Sequence, residues 1–391
     1  MGSHERIEDW LAGELAAIDE AGLRRHLRHV QGPPGPWIDI ELDDGTERRV
    51  LHLCSNSYLG LAGDPRVVAA AATAAEHHGT GTGASRLITG SQQPHRDLEE
   101  DLADWQGKEA ATLFSSGYLA NLGLLTTLAG PGDTIVSDER NHASVIDGCR
   151  LSRASVRVYG HGDVEHAERL LSDAPGRRLL VTDGVFSMDG DVAPIAALCD
   201  VAERHGAMVV VDDAHGVGVL GPEGAGTVAA SDCTERVTAI VSTLSKSLAS
   251  SGGVVVGSRN LVDLVRNRAR SFIFDTALGA PSVGAAHAAV RIARTEPDRR
   301  TTARRHAATL AAELRRLGLD VLEPAACIVP VLVGDNQRAL DLSRRLLEEG
   351  VLAVAIRPPT VAPGSARLRL TTMATHTDDD IQMAIKAFDL P

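Results

Sequence analysis

Aromatic residues make up only 3% of this 391-residue chain. Its core must therefore be built mainly from Ala, Val, Leu and Ile. Cysteine is also sparse: Cys54, Cys149, Cys199, Cys233 and Cys327 are scattered, odd in number and never spaced as C-x-x-C. That pattern fits buried thiols in a reducing compartment better than a disulfide framework or a cysteine zinc site. No H-E-x-x-H occurs. Positive charge is in deficit, with a formal net charge of −13 and a pI near 5.6. Such a balance argues against nucleic acid or an anionic membrane as the main partner, although a local basic pocket for an anionic ligand remains compatible. No apolar run approaches membrane-spanning length and the first residues form no apolar signal core, so the expectation is a cytoplasmic protein.

What is present is an alternation of short apolar runs and amphipathic stretches. Residues 5–30 read as helical, with Ile7, Trp10, Leu11, Leu15 and Ile18 at helical spacing, and the Gly32–Pro36 cluster ends that segment. Strands are expected at Ala111–Phe114, Thr134–Ser137, Val156–Tyr159, Leu179–Thr182, Met208–Val211, Ala239–Ser242 and Val254–Val256. They are short and β-branched, and helix-like segments separate most of them. This is the pattern of an α/β fold whose largely parallel sheet is buried on both faces. After Pro281 the texture changes. Helices at Val283–Arg294, Thr301–Leu317 and Ala339–Glu349 surround the runs Cys327–Val333, Val351–Ile356 and Arg367–Leu370. The expected division is an N-terminal helix and linker over 1–50 that packs with a small C-terminal α+β domain over 281–391, and a large domain over 51–280.

The chemistry-bearing segments lie at the ends of the expected strands. Ser242-Thr243-Leu244-Ser245-Lys246-Ser247 follows a buried strand. Hydroxyls and free amides there suit a phosphate, while the Lys246 amine suits an aldehyde. Alone, the same lysine reads more readily as a solvated loop residue. Met208–Val211 runs into Asp212-Asp213-Ala214-His215, where a carboxylate can pair with a protonated pyridine nitrogen or simply cap a helix. His215 is placed to reach a phenolic oxygen on the same ring. Ser115-Ser116-Gly117-Tyr118 joins a strand to an apolar helix, a phosphate site or an ordinary N-cap. His142, in Asn141-His142-Ala143-Ser144, can stack on a flat ring or merely start a helix. Gly216-Val217-Gly218-Val219-Leu220-Gly221 has the spacing of a dinucleotide fingerprint, but its first glycine does not come directly off the strand, and no second strand ending in an acid follows.

Together these segments resemble the α-oxoamine synthases, pyridoxal-phosphate (PLP) enzymes of fold type I. The likeness runs from about residue 20 to about residue 385. It is carried by Ser55-Asn56-Ser57-Tyr58-Leu59-Gly60-Leu61, Gly83-Ala84-Ser85-Arg86-Leu87, the serine–glycine segment and Asn141-His142-Ala143-Ser144. It continues through Val185-Phe186-Ser187-Met188-Asp189-Gly190, the Asp-Asp-Ala-His and lysine segments, and Arg357-Pro358-Pro359-Thr360. The resemblance implies a seven-stranded, mostly parallel sheet between helices, with PLP held by Lys246 as a Schiff base. It implies Asp212 on the pyridine nitrogen, His215 and Ser187 near the phenolic oxygen, and His142 on the ring. The phosphate falls to Ser116, Gly117, Tyr118 and Thr243, with Thr276 reaching the phosphate of a neighbouring subunit, which implies a homodimer with sites at the interface. Arg24, Asn56 and Thr360 are implied for substrate, and Arg357 and Arg369 are the candidates for the amino-acid carboxylate, a task that suits a bidentate guanidinium.

Within the family the segments around Arg357 and Arg369 look most like the biotin-pathway branch. That branch condenses L-alanine with a pimeloyl thioester, carried on CoA or on a carrier protein. Members that join glycine or serine to other acyl-CoAs stay open as alternatives. Two departures stand out: Ser247 and Ala249 occupy positions where relatives usually have Ala and Gly, and Asp213 stands where Glu is more usual.

Overall fold

The computed structural model describes residues 3–42 and 45–389. Met1, Gly2, Asp43, Asp44, Leu390 and Pro391, which the expected domain ranges include, lie outside the described residues.

All seven expected strands form one sheet. They are β1 (Ala110–Phe114), β2 (Thr134–Asp138), β3 (Ser155–Tyr159), β4 (Arg178–Asp183), β5 (Met208–Asp212), β6 (Ala239–Thr243) and β7 (Gly253–Gly257). Their order is β1-β7-β6-β5-β4-β2-β3. Only β7 runs against its neighbours, pairing antiparallel with both β1 and β6. The other pairs are parallel. Parallel strands need crossovers, and the helices that make them cover both faces, which is why these strands are apolar throughout rather than alternating. On one face Leu179, Val181, Val210 and Val241 pack with Leu124, Leu125 and Leu128 of α1 (Gly117–Leu128). Val209, Val211 and Ile240 pack with Ile195 and Cys199 on the other. Leu124 and Leu125 are fully buried, so truncating either to Ala is expected to cost about 2–5 kcal/mol. None of the five cysteines is paired in a disulfide.

The N-terminal segment differs from expectation. Its helix is Ser3–Glu20, not 5–30. Gly22, with φ +63°, turns the chain, and backbone amides of Gly22 and Leu23 close back on Asp19 and Ile18. Beyond that turn Leu27 is 89% exposed, so the helical spacing is not carried past Glu20. The helix's apolar line of Ile7, Trp10, Leu11, Leu15 and Ile18 is itself exposed.

The helix Ala280–Thr295, expected on the small-domain side of Pro281, belongs by packing to the large core. Val283, Ala286, Ala289 and Val290 join Leu98, Leu102, Val254 and Val256 in one buried cluster. The chain then enters Pro297–Arg316, whose Ala307, Leu310 and Leu314 pack with a second sheet. That sheet is β8 (Asp320–Val321), β9 (Ile328–Gly334), β10 (Val354–Ile356) and β11 (Ala366–Thr371), antiparallel in the order β8-β9-β11-β10. Leu51 and Leu53 share its core, and Trp37 Nε1 donates to Asp380 at 2.8 Å.

Candidate active site

The carboxyl ends of β4, β5 and β6 and the amino ends of α1 and α2 (Ala143–Ser152) converge on a cavity of about 260 Å³. Ligands of doubly wound sheets collect at this edge, where strand ends leave backbone groups and side chains free of the sheet. Ser116, Gly117, Tyr118, Asn121, His142, Asp212, His215, Thr243 and Lys246 are among its lining residues. The sequence segments singled out separately therefore meet in one place.

At one end Ser116 caps α1, its Oγ accepting from Leu119 N at 3.1 Å. The first amides of a helix have no carbonyl one turn back, so those of Gly117 and Tyr118 face the cavity side as anion donors. The packing there is close: a Cβ on Gly117 would crowd Thr243 Cβ at 3.3 Å, and one on Gly253 would lie 2.5 Å from Gly117 Cα. Thr243 Oγ1 lies 2.7 Å from Ser245 Oγ and 3.0 Å from Gly252 O. This end of the cavity is lined by helix-start amides and by hydroxyls.

At the other end Asp212 is nearly buried. Ala214 N and Asn121 Nδ2 donate to its two oxygens at 3.1 and 2.6 Å. The same Asn121 amide donates to Ser144 Oγ at 2.8 Å, and Ser144 Oγ lies 2.8 Å from His142 Nδ1. The Asn121–Ser144 pair thus holds His142 at Nδ1, and desolvation lowers the pKa of the ring. Asp183 was not singled out from sequence. It is paired in register with Asp212 on the adjacent parallel strand and accepts from His142 N at 3.2 Å. Burial first, then the neighbouring Asp212, pushes its carboxyl well above the ordinary range. Two strand-end acids side by side are the signal that escaped the sequence reading, because register is not visible there.

Lys246 closes the third side. Burial lowers its amine to about 8, and Nζ lies 3.0 Å from His215 Nε2. His215 Nδ1 is 2.6 Å from Tyr58 Oη, which is 3.1 Å from Asn56 Oδ1. Arg369 Nη2 donates to Asn56 Oδ1 at 3.1 Å and to Tyr58 Oη at 3.3 Å, and its Nε donates to Ser187 O. Burial first, then Lys246 and Arg369, drives His215 well below its usual pKa, so it is neutral.

The other expected site residues stand apart from this cavity. Ser187 meets Arg369 through its backbone carbonyl and is not among the lining residues. Thr276 pairs as an isolated bridge with Ser85, beside the 71%-exposed Phe274. Arg24 pairs with Asp19 at 3.4 Å on the surface, and Arg357 donates to Gly22 O, joining that surface to the segment carrying Thr360. The glycines at 216, 218 and 221 make a tight turn rather than a nucleotide loop. Cβ atoms there would lie 2.0 Å from Asp213 Oδ1, 2.6 Å from Ser247 Cβ and 2.5 Å from Gly226 O. Asp213 itself is buried, holding Thr227 N and Oγ1 at 2.7 Å each.

The family model for class I and II aminotransferases matches residues 48–388. An 8-amino-7-oxononanoate synthase of Anaeromyxobacter dehalogenans (strain 2CP-1 / ATCC BAA-258) is 48% identical over 94% of this chain and 92% of its own length. The chain belongs to the α-oxoamine synthase branch of the class I and II aminotransferases. Among solved α-oxoamine synthases, a serine palmitoyltransferase of Sphingomonas wittichii superposes with a TM-score of 0.91 at 31% identity, covering 100% of this chain and 98% of that one. A serine palmitoyltransferase solved with PLP matches with the same TM-score, identity and coverage. The fold-type I architecture expected of an α-oxoamine synthase is the one observed: a seven-stranded, mostly parallel sheet with a smaller C-terminal sheet.

Proposed function

We propose that this α-oxoamine synthase is a PLP-dependent 8-amino-7-oxononanoate synthase, condensing L-alanine with a pimeloyl thioester in biotin biosynthesis and releasing carbon dioxide and the thiol carrier. The observation that carries the reading is the connected chain from Lys246 through His215 and Tyr58 to Arg369. It joins an amine suited to an aldehyde to a guanidinium suited to a carboxylate, the two handles an amino acid needs. The relatives' names supply the choice of product.

The residues fit PLP. Amides and hydroxyls of Gly117, Tyr118, Ser116 and Thr243 would hold the phosphate, and Asp212 would face the pyridine nitrogen. His142 would cover the ring, His215 would take the phenolic side, and Lys246 would hold the aldehyde carbon. Bound there, PLP supplies a carbonyl carbon for the substrate amine and a ring that withdraws electrons from the substrate Cα.

The chain's own residues do the rest. Asn121 and Ala214 each hold one Asp212 oxygen, which fixes the carboxylate at the cavity wall. Lys246, with its pKa near 8, is an effective base at neutral pH once its amine is free, and it removes the Cα proton. Arg369 is the better placed of the two arginines for the amino-acid carboxylate, being buried in the chain that reaches Lys246. Arg357, with Arg24, Asn56 and Thr360, is left for the acyl donor and product. Thr276 lies off its own cavity and next to exposed Phe274, which supports a homodimer in which it serves the neighbouring site.

The test is to supply alanine, glycine or serine in turn with pimeloyl-CoA and with shorter or longer acyl-CoAs, and to measure thiol release. The reading expects the highest kcat/KM for alanine with the pimeloyl donor. Preference for glycine or serine with another donor would overturn it while leaving the family unchanged.

A further inference from the structure

Tyr58 lies on a turn at the start of the large domain, between residues 53 and 65, far in sequence from both Lys246 and His215. It is 1% exposed, and burial raises its hydroxyl to about 12, so it stays protonated. Its oxygen has three neighbours: His215 Nδ1 at 2.6 Å, Asn56 Oδ1 at 3.1 Å and Arg369 Nη2 at 3.3 Å. One hydrogen must be shared among them, and the donor directions follow from chemistry.

Arg369 has no acceptor atom, so it donates both to Tyr58 Oη and to Asn56 Oδ1. That contact orients the Asn56 amide, because turning it would set an NH₂ group against the guanidinium. Asn56 Oδ1 can therefore only accept, and the Tyr58 hydrogen goes to it. The Tyr58 oxygen then accepts from His215, which places the imidazole hydrogen on Nδ1. In the opposite arrangement, with Tyr58 donating to Nδ1, two oxygen lone pairs would face each other at 3.1 Å.

We infer that Tyr58 is a positioning residue that keeps the His215 proton on Nδ1, so that Nε2 faces Lys246 as a hydrogen-bond acceptor. A neutral Lys246 amine that donates to Nε2 has its own lone pair directed elsewhere, into the cavity where the aldehyde carbon and the substrate Cα would lie. Asn56 reaches His215 through Tyr58, and Arg369 does so as well while its charge also lowers the Lys246 amine directly. This role is independent of which acyl donor or amino acid the enzyme uses.

The experiment uses the full chain labelled with ¹⁵N at histidine, without added cofactor, with the His215 resonances assigned by their loss in His215→Asn. The wild-type protein is expected to show a protonated Nδ1 and an unprotonated Nε2. In Tyr58→Phe, and also in Asn56→Ala, both His215 nitrogens are expected to move toward a tautomer average. With a poorer acceptor at Nε2, the Lys246 ammonium loses a partner, so the pH midpoint for uptake of pyridoxal phosphate moves acidward by ~0.5 unit or more. A wild-type proton on Nε2, or folded variants with unchanged histidine resonances and an unchanged midpoint, would overturn the inference. Asn56→Ala decides the question alone if Tyr58→Phe does not fold.

Discussion

Lys246 Nζ and His215 Nε2 stand 3.0 Å apart, and the lysine is the only one of the two whose charge is poised to change near neutral pH. Burial lowers the amine to about 8, the opposing attraction of Asp212 being the smaller effect. The amine is the reactive form, so its capture of pyridoxal phosphate should rise with pH and level off above a midpoint near 8. Stopped-flow absorbance across pH 6–10 measures this. A midpoint near the ordinary lysine value would show that the amine is solvated.

Removing either handle of the proposed amino-acid site should have different consequences. Lys246→Ala should lower kcat by ~10³-fold or more, since it removes both the covalent attachment and the base. Arg369→Lys keeps the charge but loses the fork. It should raise KM for alanine ~10- to 100-fold, the range set by a charged hydrogen bond of about 1.5–3 kcal/mol. Steady-state kinetics with varied alanine separates the two effects.

His161 gives the fold a pH dependence of its own. It sits between Asp138 at 3.1 Å and Asp191 at 2.8 Å, edge-on to Phe186. Burial favours the neutral ring, but hydrogen bonds to the two carboxylates prevail and raise its pKa to about 9. Below pH 6.5 both folded and unfolded chains bind this proton, and the stabilisation is complete. As pH rises from 6.5 to 9 only the folded chain keeps it, so the stabilisation, roughly 3 kcal/mol at most, is lost over that window. Thermal melts of the wild type should fall between pH 6.5 and 9 more steeply than those of His161→Asn. Parallel curves would contradict the assignment.

The two substitutions after the lysine should each be reversible to advantage. Ala249 has φ +54°, a conformation in which a Cβ is strained, and Ala249→Gly should raise stability by up to ~1 kcal/mol. Ser247 Oγ is buried without a partner, and Ser247→Ala should be neutral or stabilising by about 1 kcal/mol. Denaturant titrations of the two variants check both expectations.

The strands were legible because a sheet covered on both faces leaves uninterrupted β-branched runs, such as Met208–Val211 in a parallel strand and Val254–Val256 in the antiparallel one. Their order was not, because order is set by crossovers that composition does not encode. Helical spacing extends through Ile18, but the chain turns at Gly22, so the expected helix to residue 30 failed on a single left-handed glycine. The texture change at Pro281 was real but marked the start of an Ala-rich helix that fills a gap against Leu98 and Leu102, where small side chains permit close packing. Lys246, Asp212, His142 and His215 were readable from motifs at strand ends. Asp183 and Tyr58 were not, since one acquires meaning from strand register and the other from a contact spanning 157 residues.

The central claim is that Lys246 is the residue that holds the cofactor. The direct measurement is to load the purified protein with pyridoxal phosphate, reduce with borohydride, digest, and locate the modified residue by mass spectrometry. Reduction should abolish the visible absorbance band and leave the pyridoxyl mass on Lys246, with no covalent label in Lys246→Ala. Label on another lysine, or no visible band at any cofactor concentration, would contradict that claim.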